Sequence, residues 1–446
     1  GLKSALEVDA KRENANIDGN SAMGTMLQYG STVSKEFAKA YLMKPKFAEL
    51  HEDGDIHIHD MDFLAMGTTT CMQIDLNKLF KNGFSTGHGH LREPQSINSY
   101  SALAAIAIQS DQNDQHGGQS VPAFDFYMAP GVLKSFKKEY KQALYELLDY
   151  TDFISFINFD KLTKEIDKLG SIEFDIGGFK NFYKESKEVR NIFEKAYDIA
   201  LSKTDRATYQ AMEAFVHNLN TMHSRAGAQV PFSSINFGTD TSPEGRMVMK
   251  NYLLSIDAGL GKNETPIFPI SIFKIKEGIN YNPGDPNYDL FKLSCKVSAK
   301  RLFPNFSFMD SPFNAQYYKG DYNTEVCYMG CRTRVIGNVV DPNKAITPGR
   351  GNLSFTSINL PRLGIKHGIV TKDKADIDGF FEELEELMTT VKDQLLERFE
   401  IQCNKRSYNF PFLLEQGVWI DSEKLKPTDR LRKVLKHGTL SIGFIG

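Results

Sequence analysis

The chain has 446 residues, 41% of them apolar and 24% charged, with a net charge of −3. That balance excludes a general nucleic-acid binder, which is usually basic, and no apolar run approaches the roughly 18 residues that suggest a membrane span. Five cysteines, an odd count in so long a chain, argue against a disulfide framework and point to a reducing, cytoplasmic setting.

The opening GLKSALEVDAKREN has no signal-peptide core, and the polar residues 1–60 predict one helix around Ser34–Leu50. In HIHDMDF, His57 and His59 share a face if the stretch is a strand, and Asp60 points the other way. As a metal site H-x-H needs distant partners that the sequence does not identify. As proton handlers the two imidazoles suit neutral pH, and as structural residues they need only hydrogen bonds. Cys71 follows on a predicted strand, TTTCMQIDL, and residues 98–110 predict a buried helix. Two loops of small residues come next along the chain, Gly117, Gly118 and Ser120 in QHGGQS and Ser224 with Arg225 in HSRAG. Their backbone N–H groups suit a phosphate, with Arg225 as a fixed positive fork, yet neither is a P-loop or a G-x-G-x-x-G turn, and ordinary tight turns explain them equally.

Helical patterns run over Gly131–Phe156, 186–203, 206–221 and 379–402. In the third, Tyr209, Met212, Phe215, Val216 and Leu219 share a face; in the last, Leu384, Leu387, Val391 and Leu395 form a stripe, with Asp376 or Asp378 as cap. Short strands are predicted at Gln229–Phe237, Pro269–Lys276 and Leu353–Leu360, giving an α/β architecture. FSSIN and FTSIN echo each other, as strands of two similar half-barrels would. No Pro- or Ser-rich linker interrupts the chain, so residues 1–446 read as a single catalytic domain. HGTLSIGFIG reads as a buried strand, and a chain that stops on such a strand is expected to be cut short.

CYMGCRT carries the most chemistry. A structural zinc needs four ligands, and C-x3-C has no second pair; a Cys327–Cys331 disulfide closes a very small loop; inert core cysteines are common. Gly330 also permits a tight loop tip that presents Cys331 as a reactive sulfur, with Cys71 able to approach it as a hydrogen donor.

Seven stretches in order, HIHDMDF, TTTCMQIDL, QHGGQSVP, RAGAQVPFSSINFG, CYMGCRT, GRGNLSFTSINLPRLG and HGTLSIGFIG, resemble anaerobic (class III) ribonucleoside-triphosphate reductases over essentially the whole chain. The resemblance implies the glycyl radical enzyme fold: a ten-stranded α/β barrel of two antiparallel five-stranded halves, with a central finger loop. It implies that Cys331 becomes a thiyl radical that takes the ribose 3′-hydrogen and that Cys71 faces it. It places Asn352 of GRGN near the sugar, as in formate-using members, with Met329, Thr333 and His57 or His59 lining the pocket. It further implies ribonucleoside triphosphate substrates, formate, dNTP and ATP effectors, a radical-SAM activating enzyme and a homodimer.

The family's radical glycine and zinc-binding cysteine pairs follow the point where this sequence ends, and its N-terminal ATP cone is absent from it. The expectation is therefore no metal ligand in this chain, and either a shortened protein or one part of a split enzyme, inactive alone. Two rival readings stand beside this one. A formate-lyase-like enzyme needs adjacent cysteines on the finger loop, whereas Gly330 and Arg332 flank Cys331 here. A non-catalytic nucleotide-binding or assembly subunit is the other.

Overall fold

The structure, a computed structural model, describes residues 19–335, 337–371 and 373–446; the opening GLKSALEVDAKREN lies outside them. Its strands are β1 Ile56–Ile58, β2 Cys71–Gln73, β3 Phe84–Ser85, β4 His90–Leu91, β5 Gln119–Val121, β6 Ser233–Phe237, β7 Ile270–Ile275, β8 Asn305–Phe308, β9 Gly351–Asn359 and β10 Thr439–Ile445. β3 and β4 form a separate hairpin, and the other eight build one sheet in the order β1-β9-β2-β5-β6-β7-β8, with β10 added along β9.

β2, β5, β6, β7 and β8 are parallel to one another. Parallel neighbours need crossovers, and helices Ile97–Asp111, Phe124–Tyr150, Lys187–Thr221, Pro243–Ala258 and Tyr288–Arg301 provide them. β9 reverses direction: it is antiparallel to β1 and β2 and parallel to β10. Among the described residues the sheet thus has eight strands in place of the expected ten. Six of them, β1, β2 and β5 to β8, run one way, and β9 and β10 run in the opposite sense.

The two faces of the parallel strands differ in chemistry. Met72, Val121, Ile235, Phe237 and Phe273 join one core with Ile108, Tyr127, Phe215 and Tyr252 of the crossover helices. Alternation sends Cys71, Gln73, Ser120, Asn236 and Lys274 to the opposite face, which is accordingly polar.

β9 departs from strict alternation. Thr439 pairs with Asn352 but Leu440 pairs with Ser354, so Leu353 is an extra residue, a bulge. Beyond it the register is shifted by one. Thr356 Oγ1 reaches Gln394 Oε1 at 2.7 Å, and Ile358 packs against Leu387, Val391 and Leu395, all on the helix Ile377–Cys403. Phe355 and Ser357 therefore share the polar face with Asn352, whereas unbroken alternation would have turned them away from it.

Several predicted helices shift. The 34–50 prediction becomes Ala22–Phe37, a wide turn Ala38–Leu42 and a new helix Pro45–Asp53, because Pro45 suits a first helical turn and not an interior. The 186–203 and 206–221 predictions are one helix, Lys187–Thr221; Thr204 and Thr208 lie buried within it, and Thr208 Oγ1 bonds back to Thr204 O at 2.8 Å. Asp376 is the cap of the 377–403 helix, accepting from Gly379 N at 3.0 Å. β10 is a strand as expected, but Phe444 and Ile445 are about half exposed, because it lies along the outside of β9. No described helix is long and apolar enough to cross a membrane.

Candidate active site

The loop Glu325–Val335 lies against the polar face. Tyr328 pairs with Arg334 across it, Met329 N donates to Thr333 O at 2.9 Å, and Arg332 N donates to Met329 O at 2.7 Å. Gly330 and Cys331 are thereby set at the tip of a tight turn, closed by Arg332 in the left-handed region, φ 62°. A Cβ on Gly330 would fall 2.4 Å from the Phe232 ring, and one on Gly118 would lie 3.1 Å from Gly330 N. Glycine at both positions is what lets loop and strand touch. Gly117 is equally constrained, since its Cβ would sit 1.9 Å from Thr70 O.

At the tip, Cys331 Sγ lies 3.5 Å from Cys71 Sγ and 2.9 Å from Thr333 Oγ1. Cys71 is buried in a small cluster with Met329 and Val335, and its sulfur accepts from Gly118 N at 3.4 Å; Cys331 is exposed. The pair holds its protons unevenly. The hydrogen bond from Cys71, helped by Thr333, draws the Cys331 thiol below its ordinary range, while the same contact and burial push Cys71 well above its own. Cys327 takes no part: it is buried and its thiol donates to Pro122 O at 2.9 Å. All five cysteines are free and the two thiols engage different partners, so the C-x3-C pair is not a disulfide. Replacing Cys71 by alanine removes the bond that favours the Cys331 thiolate. Alkylation of Cys331 at neutral pH should slow roughly tenfold, with the midpoint of its pH profile moved upward. An unmoved midpoint would show that Cys71 does not control this thiol.

Asn352 sits directly opposite Cys71 in the β2–β9 register, so the two side chains share a face. Its Oδ1 accepts from Ser441 Oγ at 3.1 Å and Thr439 Oγ1 at 3.3 Å, while its buried Nδ2 has no partner among the described residues. Through the Leu353 bulge the histidines reach the same face. His59 stacks on Phe355 at 4.3 Å and bonds Ser357 Oγ at 2.9 Å, and His57 meets His59 edge-on at 4.6 Å. They lie roughly 10–15 Å along β9 from the thiols at the usual rise per residue. Burial lowers the pKa of both, that of His59 to about 4, so near neutrality they are uncharged proton acceptors rather than the near-neutral titrating pair expected.

The phosphate-fork expectation for Arg225 is corrected. Its Nε donates to Gln112 O at 3.0 Å, NH1 to Gln229 Oε1 at 2.9 Å and His116 O at 3.4 Å, and NH2 to Gln112 O at 2.6 Å and to Gln115 O. Four of these five bonds serve the Gln112–His116 turn, and the fifth ties Arg225 to the Gln229 side chain. Ser224 bonds Gln112, and Ser120 Oγ donates to Tyr328 O at 3.0 Å. These groups, with Gly117 and Gly118, hold the chain together around the thiols and do not form a phosphate cradle.

Three features escaped the sequence reading. Lys274 and Glu325 form a buried ion pair at 2.6 Å beneath the loop. Asn236 binds the Tyr328 backbone. Arg398 donates to His59 O at 2.7 Å and Asp60 O at 3.2 Å, fixing the HIHD turn. Each partner lies far away in sequence; only the asparagine of FSSIN gave any signal.

The family model described as anaerobic ribonucleoside-triphosphate reductase matches residues 13–446. Proteins of that name from Escherichia coli K12 and Haemophilus influenzae are 28% and 27% identical to the chain, cover all of it, and are matched over 55% of their own length. The one from phage T4 is 29% identical and is matched over 65% of its length. The chain thus spans a little over half of the bacterial relatives. The anaerobic ribonucleotide reductase from Thermotoga maritima with glycerol in its active site superposes with a TM-score of 0.56 at 14% identity, covering 95% of this chain and 57% of that one. Another anaerobic ribonucleotide reductase structure reaches 0.60 at 14% identity, covering 99% of this chain and 58% of that one. A family match over nearly every residue, a shared fold and a thiol pair on the polar face of its sheet lead to one conclusion: the chain belongs to the anaerobic ribonucleoside-triphosphate reductase family.

Proposed function

We propose that this chain carries the sugar-reducing site of an anaerobic ribonucleoside-triphosphate reductase, and that Glu325–Val335 is its finger loop. The observation that carries the reading is the Cys331–Cys71 contact at 3.5 Å beside Asn352. Cys331, as a thiyl radical, takes the 3′-hydrogen of the ribose. The 2′-hydroxyl takes a proton and leaves as water. Cys71, held protonated by its bond to Cys331 and by burial, gives a hydrogen atom to C2′. Formate restores that hydrogen to Cys71 and passes its second electron, with a proton from solvent, to the sugar, after which Cys331 gives the 3′-hydrogen back. Formate supplies the two electrons and leaves as carbon dioxide. The unpartnered Asn352 Nδ2 suits a sugar hydroxyl or formate oxygen, since a buried donor gains most from a ligand acceptor. Met329 and Thr333 hold the loop tip, and His57 and His59 line the same face as neutral acceptors.

A glycyl radical, where the enzyme holds one, would supply the one-electron oxidising equivalent that turns the Cys331 thiol into a thiyl radical. The activating enzyme and a homodimer belong to the same reading. The test is anaerobic turnover by the complete, activated protein. Formate-dependent conversion of ribonucleoside to deoxyribonucleoside triphosphates supports it; nucleotide binding without turnover would favour the non-catalytic alternative.

Effector binding is assigned to a second place. Lys134, Lys137, Lys138 and Lys141 of the 124–150 helix line a cavity of about 520 Å³ walled by Tyr145 and Phe159. Cations beside aromatic rings suit a nucleoside triphosphate. The Thermotoga relative has been seen in complex with dATP and CTP. Reversing charge at Lys137 and Lys138 should weaken dNTP binding about tenfold, about 1.4 kcal/mol, while substrate turnover without effector persists. Unchanged dNTP affinity in a titration would remove this assignment.

A further inference from the structure

We infer that Asn236 is the positioning residue that sets Cys331 against Cys71. Its carboxamide grips the loop as a neighbouring strand would. Tyr328 N donates to Asn236 Oδ1 at 2.8 Å, and Asn236 Nδ2 donates to Tyr328 O at 2.8 Å. Ser120 Oγ adds a second donor to the same carbonyl at 3.0 Å. Asn236 is fully buried on β6, a strand fixed on both sides by β5 and β7, so the side chain has little freedom to follow a moving loop. Tyr328 is three residues before Cys331. Between them the Met329–Thr333 and Arg332–Met329 bonds, the Arg332 NH1–Gly330 O bond at 2.6 Å and the contacts of Gly330 with Phe232 and Gly118 define the path. Releasing Tyr328 frees the turn to rotate away from Cys71. The echo strand does not repeat the device: Asn359 Nδ2 donates to Gly54 O at 2.9 Å and meets no part of the loop.

Asparagine alone gives both halves of this grip. Leucine keeps bulk and loses both bonds. Aspartate keeps the acceptor and regains the donor only when protonated; ionised, it faces the Tyr328 carbonyl with a negative charge. The charged groups around this grip are Lys274 on the adjacent strand, Lys276 just beyond its end, Asp125 beside Lys274, and Glu325 and Arg334 on the loop. Lys274 and Glu325 hold each other ionised, so neither titrates over the working range.

The test has two arms, both in a Cys295→Ser background, because Cys295 is the other exposed thiol. The first follows Cys331 alkylation against pH and does not depend on the proposed function. Asn236→Leu should raise the midpoint toward that of an ordinary thiol. Asn236→Asp should match the wild type while its introduced carboxyl is protonated and match Asn236→Leu once it ionises. An Asn236→Asp profile that follows the wild type, or follows Asn236→Leu, at every pH would overturn the inference. The second arm rests on Cys331 being the reacting sulfur. In the complete activated enzyme, Asn236→Leu should lower kcat about 100-fold with KM nearly unchanged, the size expected of a small misplacement. Unchanged kcat with a shifted alkylation midpoint would contradict the functional reading and leave the positioning role intact. Equal losses in KM and kcat, with an unmoved midpoint, would overturn the positioning role.

Discussion

Replacing Cys331 by serine should abolish deoxyribonucleotide formation in the complete, activated enzyme. The loss in kcat should be roughly 10⁴-fold or more, with nucleotide affinity kept within about twofold. The separation follows from the position of this residue. Cys331 is at the exposed tip of a turn, and its side chain contacts Cys71 and Thr333. No part of the hydrophobic core depends on it, so serine fits without a cavity. An O–H bond is far harder to break homolytically than an S–H bond, so the substituted side chain cannot carry the radical. Retained turnover, or loss of nucleotide binding in parallel with activity, would refute the assignment.

The largest stability effect should come from beneath the loop. Lys274 and Glu325 lie 2.6 Å apart with side chains 0% and 4% exposed, and Thr239 Oγ1 donates to the same carboxylate oxygen at 2.8 Å. Burial alone would raise the Glu325 carboxyl and lower the Lys274 ammonium. Each outweighs that penalty for the other, so Glu325 titrates below and Lys274 above its ordinary value. Lys274→Met should therefore cost about 3 kcal/mol, because it leaves a buried carboxylate with only the more distant Lys276, at 3.5 Å, as counter-charge. The pair itself need not be strongly stabilising, and adding Glu325→Met to the same chain should recover much of the loss. In the wild type, a depressed Glu325 pKa contributes stability that is present above the unfolded carboxyl pKa and lost as pH falls through the folded value. In Lys274→Met the carboxyl rises instead, so the deficit should narrow as acidification neutralises it. Chemical denaturation across pH checks both statements. A single-variant cost below about 1 kcal/mol, the scale of an exposed pair, would show that this pair is not truly buried.

How much of this was legible in the sequence depends on distance along the chain. Local pattern located the main helices and the cores of β6, β7 and β9, and it narrowed the cap of the last long helix to Asp376 or Asp378, of which Asp376 is the one used. It split the 187–221 helix at Thr204 and Asp205, where the helix in fact runs on with Thr204 buried and its carbonyl accepting from Thr208 Oγ1. It placed His57 and His59 on one face. It had no means of placing that face with the thiols, because this depends on one extra residue, Leu353, in a strand whose alternation otherwise reads as regular. Arg225 looked like a ligand fork because a guanidinium beside glycines is the usual sign; all but one of its acceptors are backbone carbonyls, which every sequence has and none advertises. The thiol pair joins residues 260 apart, and Asn236 meets Tyr328 across 92. The first was one of several readings open from the loop and strand patterns, and family resemblance singled it out. The second was visible as a repeated asparagine whose purpose needs the folded loop.

The most direct test of the central claim, that Cys331 takes hydrogen from the sugar, is an isotope effect. In the complete activated enzyme under anaerobic conditions, ribonucleoside triphosphate with and without deuterium at the 3′ carbon would compete for the same site. A normal primary effect on kcat/KM, absent along with all turnover in Cys331→Ser, is the predicted result. No discrimination between the two substrates, together with product still formed by the serine variant, would contradict it.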